Sequence, residues 1–375
     1  MSYHILFLNW QDIKHPLGGG AEVYHQEIFK RIIARGNEVS LICSNYSGLK
    51  KYEEIDGMKI FRYGGRNWFN FIAPSAIRNY LKQNKTDVII DSINKIPLFS
   101  PLYVKNIPII AVVHHLFGKS IFSEALLPLA AYVYYSEKLI RPVYRNVPFI
   151  SVSESTRKEL TEYGINEENI SIIENCVDHD LYTTSDEPEG DIPLVGYLGR
   201  IKKYKSVDHL IRAFRKVKDE IRNAKLIIVG DGDNLPELKE LADKLGLGDS
   251  AEFTGFLAKE KKVEILRKCH VVVNPSVKEG WGLTVVESNA CGTPVVAADV
   301  PGLRDSVVEG KTGILYKYGD IDACAENIIR ILKDSTLRSE MRINAIEWAA
   351  KFDWDNAAEK TLDMIKKVIE INRNN

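Results

Sequence analysis

Glu279 and Glu287 stand with seven residues between them, Gly280-Trp281-Gly282-Leu283-Thr284-Val285-Val286. Both read as ionised carboxylates at neutral pH, hence as hydrogen-bond acceptors. Vicinal hydroxyls of a ribose or a hexose suit such acceptors, and the amides of the Gly280–Thr284 turn suit phosphate. A carboxyl pair can instead act as acid and base in hydrolysis, but the spacing does not fix the separation that this requires. Two glutamates on a solvent-facing helix are the plainer alternative.

Three other groups of residues could join them. Arg200 closes Gly196-Tyr197-Leu198-Gly199, and Lys205 follows five residues later. A planar guanidinium fork and an ammonium point charge suit a diphosphate, although Lys202 and Lys203 make a merely solvated basic cluster an equal reading. Gly18-Gly19-Gly20-Ala21-Glu22 joins a strand to a helix, where amides and the helix dipole favour an anion. A tight turn without a ligand is the alternative, since the loop is neither a P-loop nor a GxGxxG fingerprint. His114, next to His115, ends an apolar run and could donate a hydrogen bond or carry a proton near neutral pH; otherwise it is a structural histidine. Asp231 and Asp233 read as a turn, with Asp233 or Asn234 capping the next helix, and Ser153 reads as a cap of the helix it precedes. Asp231 and Asp233 could also suggest metal binding, but His114 and His115 have no third ligand at metal-binding spacing, so no zinc site is expected, and no cofactor is expected.

These residues need a scaffold, and the chain alternates strand-like and helix-like segments. Strands are expected at His4–Leu8, Glu38–Cys43, Lys59–Arg62, Val88–Asp91, Ile109–Val113 and Phe149–Val152, with helices at Ala21–Ala34, Ile72–Leu81, Ser123–Tyr144 and Glu154–Tyr163. Residues 183–193 are acidic and punctuated by proline and glycine, as a linker would be. A second alternation follows, with strands at Leu194–Leu198, Lys225–Val229, Ala251–Thr254, Val271–Asn274 and Pro294–Ala297. Helices are expected at Ser206–Asp219, Leu235–Leu245 and Glu260–Cys269, and the last 55 residues read as helical, ending in Trp354–Ile371. Two doubly wound α/β units with parallel sheets follow from this pattern, facing each other across a cleft. Arg200, Glu279 and His114 all fall at carboxyl ends of strands, where open α/β sheets bind ligands.

Composition sets the outer bounds. The chain has 375 residues, 45% of them hydrophobic and 27% charged. That fits a globular protein of two domains and excludes a disordered one. A formal net charge of -1 gives no global attraction to nucleic acid. The five cysteines are scattered, without a CxxC pair, and point to a reducing cytoplasm. No signal peptide is recognised, and the most apolar stretch, Ala125–Tyr135, is too short for a membrane span and contains Pro128. Ile121–Tyr144 is nevertheless rich in Leu, Ala and Tyr beside Lys119, Lys138, Arg141 and Arg145. Trp68-Phe69-Asn70-Phe71 adds aromatics after Arg62 and Arg66. These read either as core and helix-packing positions or as a peripheral membrane surface.

Together the motifs resemble glycosyltransferase family 4, the retaining sugar-nucleotide transferases of the GT-B fold, over essentially the whole chain. Glu279 to Ala297 is similar to the family's E-G-F-G-L…E…A-C-G-x-P-V-V signature, with Trp281 where Phe is usual. Gly199-Arg200 with Lys205 resembles its G-R…K element, the Gly18–Glu22 loop its N-terminal glycine loop, and His114 its acceptor-domain histidine. One departure is Asn175-Cys176-Val177-Asp178, where the family often has N-G-V-D.

The resemblance implies a GT-B architecture. An acceptor-side Rossmann-like domain would span 1–182 and be completed by a crossing C-terminal helix, 353–375. A nucleotide-sugar-binding domain would span 183–352. It implies that Arg200 and Lys205 hold the donor diphosphate, that Glu287 accepts from the ribose, and that Glu279 accepts from the donor sugar. Gly282, Leu283 and Thr284 would touch phosphate or sugar, Gly255 and Phe256 would lie by the base, Gly19 and Gly20 would approach the phosphates, and His114 would line the reaction centre. The expected activity moves a hexose from a UDP-sugar or GDP-mannose to a hydroxyl of a glycan or glycolipid, without a metal. The expected setting is the cytoplasm, with the inner membrane surface as a further contact. The rivals are a GT-B epimerase or hydrolase, a noncatalytic nucleotide-sugar-binding protein, and an NAD-binding Rossmann enzyme, which the glycine loop fits poorly.

Overall fold

Val88-Ile89-Ile90 and Ile110-Ala111-Val112-Val113 are buried throughout, as strands covered on both faces by helices must be. The computed structural model describes residues 2–65, 67–94, 96–185 and 190–374. The chain divides into two units, Met1–Asn175 with Trp354–Asn375, and Cys176–Asp353.

Unit 1 holds an eight-stranded sheet: β1 (His4–Leu8), β2 (Glu38–Ser44), β3 (Tyr52–Ile55), β4 (Met58–Tyr63), β5 (Val88–Ile93), β6 (Ile109–Val113), β7 (Phe149–Ser151) and β8 (Ile170–Ile172). The order is β3-β4-β2-β1-β5-β6-β7-β8. All pairs are parallel except β3 with β4, which is antiparallel. The chain runs outward from β1 to β4 on one side, then returns to β5 on the other, so the topological switch point lies between β1 and β5. Helices α1 (Gly20–Ala34), α2 (Phe69–Gln83), α3 (Ile121–Glu124), α4 (Leu127–Lys138), α5 (Ile140–Tyr144) and α6 (Glu154–Glu162) connect the strands.

The single helix expected over 123–144 is instead three. Ala125 and Leu126 are extended, with φ/ψ of -139/156 and -57/141. Pro128 then occupies the first turn of α4, where its missing N–H costs nothing and its fixed φ suits a new start. The β3–β4 hairpin was also not expected. Its turn, Asp56-Gly57, has positive φ at both residues (50° and 78°), the geometry that makes Asp-Gly a two-residue hairpin signal.

Unit 2 holds a six-stranded parallel sheet: β9 (Leu194–Leu198), β10 (Lys225–Val229), β11 (Ala251–Gly255), β12 (Val271–Asn274), β13 (Val295–Ala298) and β14 (Gly313–Tyr316), in the order β11-β10-β9-β12-β13-β14. Its helices are α7 (Val207–Glu220), α8 (Leu235–Lys244), α9 (Lys259–Lys268), α10 (Leu283–Ala290), α11 (Leu303–Ser306), α12 (Ile321–Lys333) and α13 (Ser335–Ala349). Here the chain moves from β9 to β11 on one side and comes back to β12 on the other. The switch point therefore lies between β9 and β12.

The final helix, α14 (Trp354–Asn374), returns to unit 1. Trp354 meets the Tyr24 ring edge-on at 5.9 Å between centroids, and Asp355 Oδ2 accepts from Arg31 Nε at 3.2 Å. Passage into unit 2 occurs at Cys176, earlier than the expected 183, and the return follows Asp353, one residue later than the expected 352. The reason is local: Val177 forms a parallel bridge with Asp353 and donates to Phe352 O at 3.1 Å. Within the expected linker 183–193, residues 186–189 lie outside the described residues. Cys176, at the departure from the family pattern, is buried, as are the other four cysteines.

Candidate functional site

The switch point of unit 2 joins the loops after β9 and β12, residues 199–206 and 275–282. Backbone hydrogen bonds stitch these loops together. Val277 N donates to Tyr204 O at 2.9 Å, while Ile201 N donates to Asp231 O in the β10 loop at 2.9 Å. Tyr197 donates its hydroxyl to Arg200 O at 2.8 Å, fixing the backbone that carries that guanidinium. Gly302 holds the other side. Its φ is +83°, and a Cβ there would stand 2.4 Å from Glu279 O, so only glycine lets the β13 loop back onto the Glu279 backbone.

At this junction Lys205 Nζ pairs with Glu279 Oε1. Both side chains are mostly covered, and the ammonium lies 5.0 Å from the centre of the Tyr204 ring. Ser276 Oγ lies 2.8 Å from Glu279 Oε1 and 2.8 Å from Asn274 Oδ1. Burial works to lower the Lys205 pKa, but Glu279 and Tyr204 outweigh it and hold the ammonium above its ordinary value. Lys205 is therefore a permanent cation in a partly desolvated setting, where it acts on a neighbouring anion far more strongly than in water. Arg200 is exposed on the same loop.

Gly282, with φ of +92°, forms the N-cap of α10. The amides of Leu283 and Thr284 open that helix and have no intrahelical acceptor. One turn further, Glu287 accepts a hydrogen bond from the Tyr182 hydroxyl. Burial pushes the Glu287 carboxyl up to about 7, against the opposing pull of Tyr182, Lys262 and Lys259. The two glutamates therefore differ: Glu279 has a cation for a partner, and Glu287 has a phenol. The expectation that both are fully ionised at neutral pH is corrected for Glu287, which is close to half-protonated there. Phe256 follows Gly255 at the end of β11 and is 76% exposed, with Lys262 Nζ 5.1 Å from its ring centre. Lys262 thus links an uncovered aromatic face to the surroundings of Glu287. Tyr182 was not singled out from sequence, because it precedes the expected linker; its only signal was an aromatic residue four positions after Asp178.

In unit 1 the glycine loop leaves β1 beside its own switch point. Glu22 folds back on it, its Oε2 accepting from Gly19 N at 2.6 Å and its Oε1 from Asn9 Nδ2 at 3.2 Å. The Gly19 amide, expected to await an anion, already holds a carboxylate. Gly20 differs: a Cβ there would meet nothing within 4 Å, so the fold itself does not demand glycine at that position. Asp12 of the same loop pairs with the fully buried Arg62, Nε to Oδ2 at 2.7 Å and Nη2 to Oδ1 at 3.0 Å.

His114 ends β6, with Nε2 3.0 Å from His25 Nε2, which lies 3.2 Å from Ser92 Oγ. Burial, then His115, pushes His114 down to about 3, and burial also lowers His25. The pair is neutral at physiological pH. Of the readings left open for His114, this favours a hydrogen-bonding or structural group over a proton carrier near neutrality. Partner histidine His25 was not read from sequence, since it sits mid-helix without a pattern.

The minor sites resolve simply. Ser153 Oγ accepts from Thr156 N at 3.1 Å, as a cap should. Neither Asp233 nor Asn234 caps α8 with its side chain; Asp233 pairs with Lys202 at 2.6 Å instead. Among the described residues no cluster of three or more His, Cys, Asp or Glu is placed to hold a metal ion.

Residues 18–181 match the family described as Glycosyltransferase Family 4, and residues 184–348 the family described as Glycosyl transferases group 1. An uncharacterized glycosyltransferase of Methanocaldococcus jannaschii is 26% identical over 380 residues, covering 94% of this chain and 95% of that protein. A D-inositol 3-phosphate glycosyltransferase of Stackebrandtia nassauensis is 32% identical over 218 residues, 53% of this chain and 49% of its own length. This chain therefore matches about half of that enzyme. Among solved structures, sucrose-phosphate synthase of Thermosynechococcus elongatus superposes with a TM-score of 0.84 at 21% identity, covering 98% of this chain and 100% of the other. An Anabaena protein crystallised with UDP and glucose gives 0.77 at 21% identity, over 97% and 100%. The fold is GT-B.

Proposed function

This chain belongs to glycosyltransferase family 4, and from that premise we propose that it moves a hexosyl group from a nucleotide-diphosphate sugar to an acceptor hydroxyl with retention of anomeric configuration. The observation that carries the reading is the Lys205–Glu279 pair at the switch point of unit 2, where open α/β sheets take their ligands. A UDP-sugar or GDP-mannose is the donor, and a glycan or lipid-linked hydroxyl the acceptor. The Anabaena neighbour that carries UDP and glucose supports the donor class.

The roles follow from the chemistry of each group. Phe256 offers an uncovered ring to the base. Glu287, as the carboxylate, accepts from the ribose hydroxyls, and the Leu283 and Thr284 amides at the start of α10 meet phosphate. Arg200 and Lys205 hold the diphosphate. As the bond between the sugar C1 and the phosphate oxygen breaks, negative charge grows on the leaving diphosphate. Lys205 stabilises that growth from a fixed position, with little reorganisation at the moment of reaction. The acceptor oxygen bonds C1 on the same face and its proton passes to the leaving phosphate oxygen. Glu279 accepts from sugar hydroxyls and does not attack C1, because it is already paired with Lys205. The cations do the electrostatic work, so the scheme contains no metal. A cytoplasmic setting, at the inner membrane surface when the acceptor is lipid-linked, completes the reading.

A thermal-shift screen of UDP-sugars and GDP-mannose tests it. One nucleotide sugar should raise Tm and then be hydrolysed slowly in the absence of acceptor. No shift with any donor, or conversion of the donor to its epimer without an acceptor, would overturn the proposal.

A further inference from the structure

Helix α4 carries apolar side chains on both of its faces. Its inward face carries Ala130, Val133, Ser136 and Glu137, all buried. Glu137 spends its carboxylate on the amides of Phe117 and Gly118, at 2.6 and 2.8 Å. Leu129, Tyr132 and Tyr135 of α4, with Leu126 just before it and Leu139 just after it, are all exposed, with Leu126 at 84% and Tyr135 at 67%. A surface helix of a water-soluble protein ordinarily turns polar and charged residues outward. The apolar stripe also extends beyond α4. Asn70 at the start of α2 donates to the Tyr132 hydroxyl, and Trp68 and Phe71 beside it are 66% and 65% exposed. Phe69 between them is buried in the same core cluster as Ala130 and Val133, so both helices rest on one base and turn their remaining apolar side chains outward. A contiguous exposed apolar surface of this kind is uncommon unless something covers it.

Charge decides what covers it. Lys119, Lys138, Arg141 and Arg145, in and next to the segment that carries these side chains, are exposed, while Glu137 faces inward. Lys138 lies 5.3 Å from the Tyr134 ring centre and 4.5 Å from that of Tyr163, which holds its ammonium beside the aromatic edge. Arg62 contributes nothing here, being buried against Asp12, and Arg66 lies outside the described residues. Apolar and aromatic side chains ringed by cations match an anionic lipid surface, with Leu and Tyr entering the acyl–headgroup boundary and Lys and Arg meeting the phosphates. A second copy of this chain would instead bring like cations together across a two-fold interface. Among the described residues no helix is long and apolar enough to cross a membrane, so the contact is peripheral.

We infer that the outward face of α4, with Trp68 and Phe71 of the α2 start, docks unit 1 on an anionic bilayer. The inference extends the reading in which the acceptor is lipid-linked, but its test is independent of turnover. The full chain and a Leu126→Ser, Leu129→Ser, Tyr135→Ser variant are sedimented with vesicles of phosphatidylcholine and phosphatidylglycerol, and with phosphatidylcholine alone. The native chain should bind the anionic vesicles and release them as salt rises, and the variant should bind at least about tenfold more weakly. Thermal shift by the nucleotide sugar, measured without vesicles, should be the same in both, which shows the variant folded and separates this test from that of the donor site. Three results would each overturn the inference: no binding by the native chain, binding that the variant keeps, or a native dimer in solution that the variant dissolves.

Discussion

The raised pKa of Glu287 makes donor affinity a function of pH. The carboxyl titrates near 7 because burial outweighs the help of Tyr182 and the two lysines. About a tenth of it is ionised at pH 6 and about nine tenths at pH 8. If only the carboxylate accepts from the ribose hydroxyls, the apparent Kd of an intact nucleotide sugar should tighten about tenfold over that range, or about 1.4 kcal/mol. The diphosphate of such a donor is esterified at both ends, so each phosphate keeps a single, strongly acidic proton site, stays ionised throughout and adds no slope. Isothermal titration at pH 6, 7 and 8 measures it directly. Glu287→Gln should bind more weakly at pH 8 and show no such slope. Tyr182→Phe removes a bond that favours the carboxylate, so its midpoint should move higher. Stability runs the other way. A carboxyl raised in the folded state stabilises fully below its unfolded pKa, and that contribution is lost as pH rises through 7. Glu287→Gln should therefore gain Tm relative to the native chain at pH 8 compared with pH 5. A flat Kd in the native chain, or a slope that survives in Glu287→Gln, would refute the assignment of this residue to the ribose.

Other expectations are briefer. Lys205→Ala should lower kcat by about 10²- to 10³-fold, the usual loss for one preorganised charge-stabilising group, with a much smaller change in Tm; turnover close to native would remove Lys205 from the diphosphate. Arg62→Met leaves the buried Asp12 carboxylate without its cation, keeping only the Lys14 amide and the Cys43 thiol as donors among the described residues, which should cost about 3–5 kcal/mol of stability by urea denaturation; a loss below about 1 kcal/mol would show that those two donors suffice.

Sequence pattern reached the scaffold more easily than the contacts. Fully apolar strands such as Val271–Val273 and Ile109–Val113 announced parallel sheets, and the run from Val271 to Ala297 announced strand, loop, helix, turn and strand in order. The short strands were less visible. Tyr52–Ile55 carries two glutamates on an edge, and only its Asp56-Gly57 turn marks it. Pro128 was read as a limit on a membrane span, whereas its effect is to restart a helix. Pairings across long separations were not legible at all. Lys205 and Glu279 meet because β9 and β12 become neighbours at the switch point, a fact of strand order and not of spacing. Likewise the titration of Glu287 depends on Tyr182 and on burial, neither of which a motif records. The glycine loop shows the reverse error: its amides looked vacant until Glu22, three residues on, folded back onto Gly19.

The central claim is retaining transfer driven by Lys205 on a donor held in unit 2. Proton NMR of the donor identified by thermal shift, followed in real time with the native chain and Lys205→Ala, tests it most directly. The account predicts release of nucleoside diphosphate and a first-formed sugar product with the anomeric configuration of the donor, and a rate at least about a hundredfold lower in the variant. Inverted product, or equal rates in the two proteins, would contradict it.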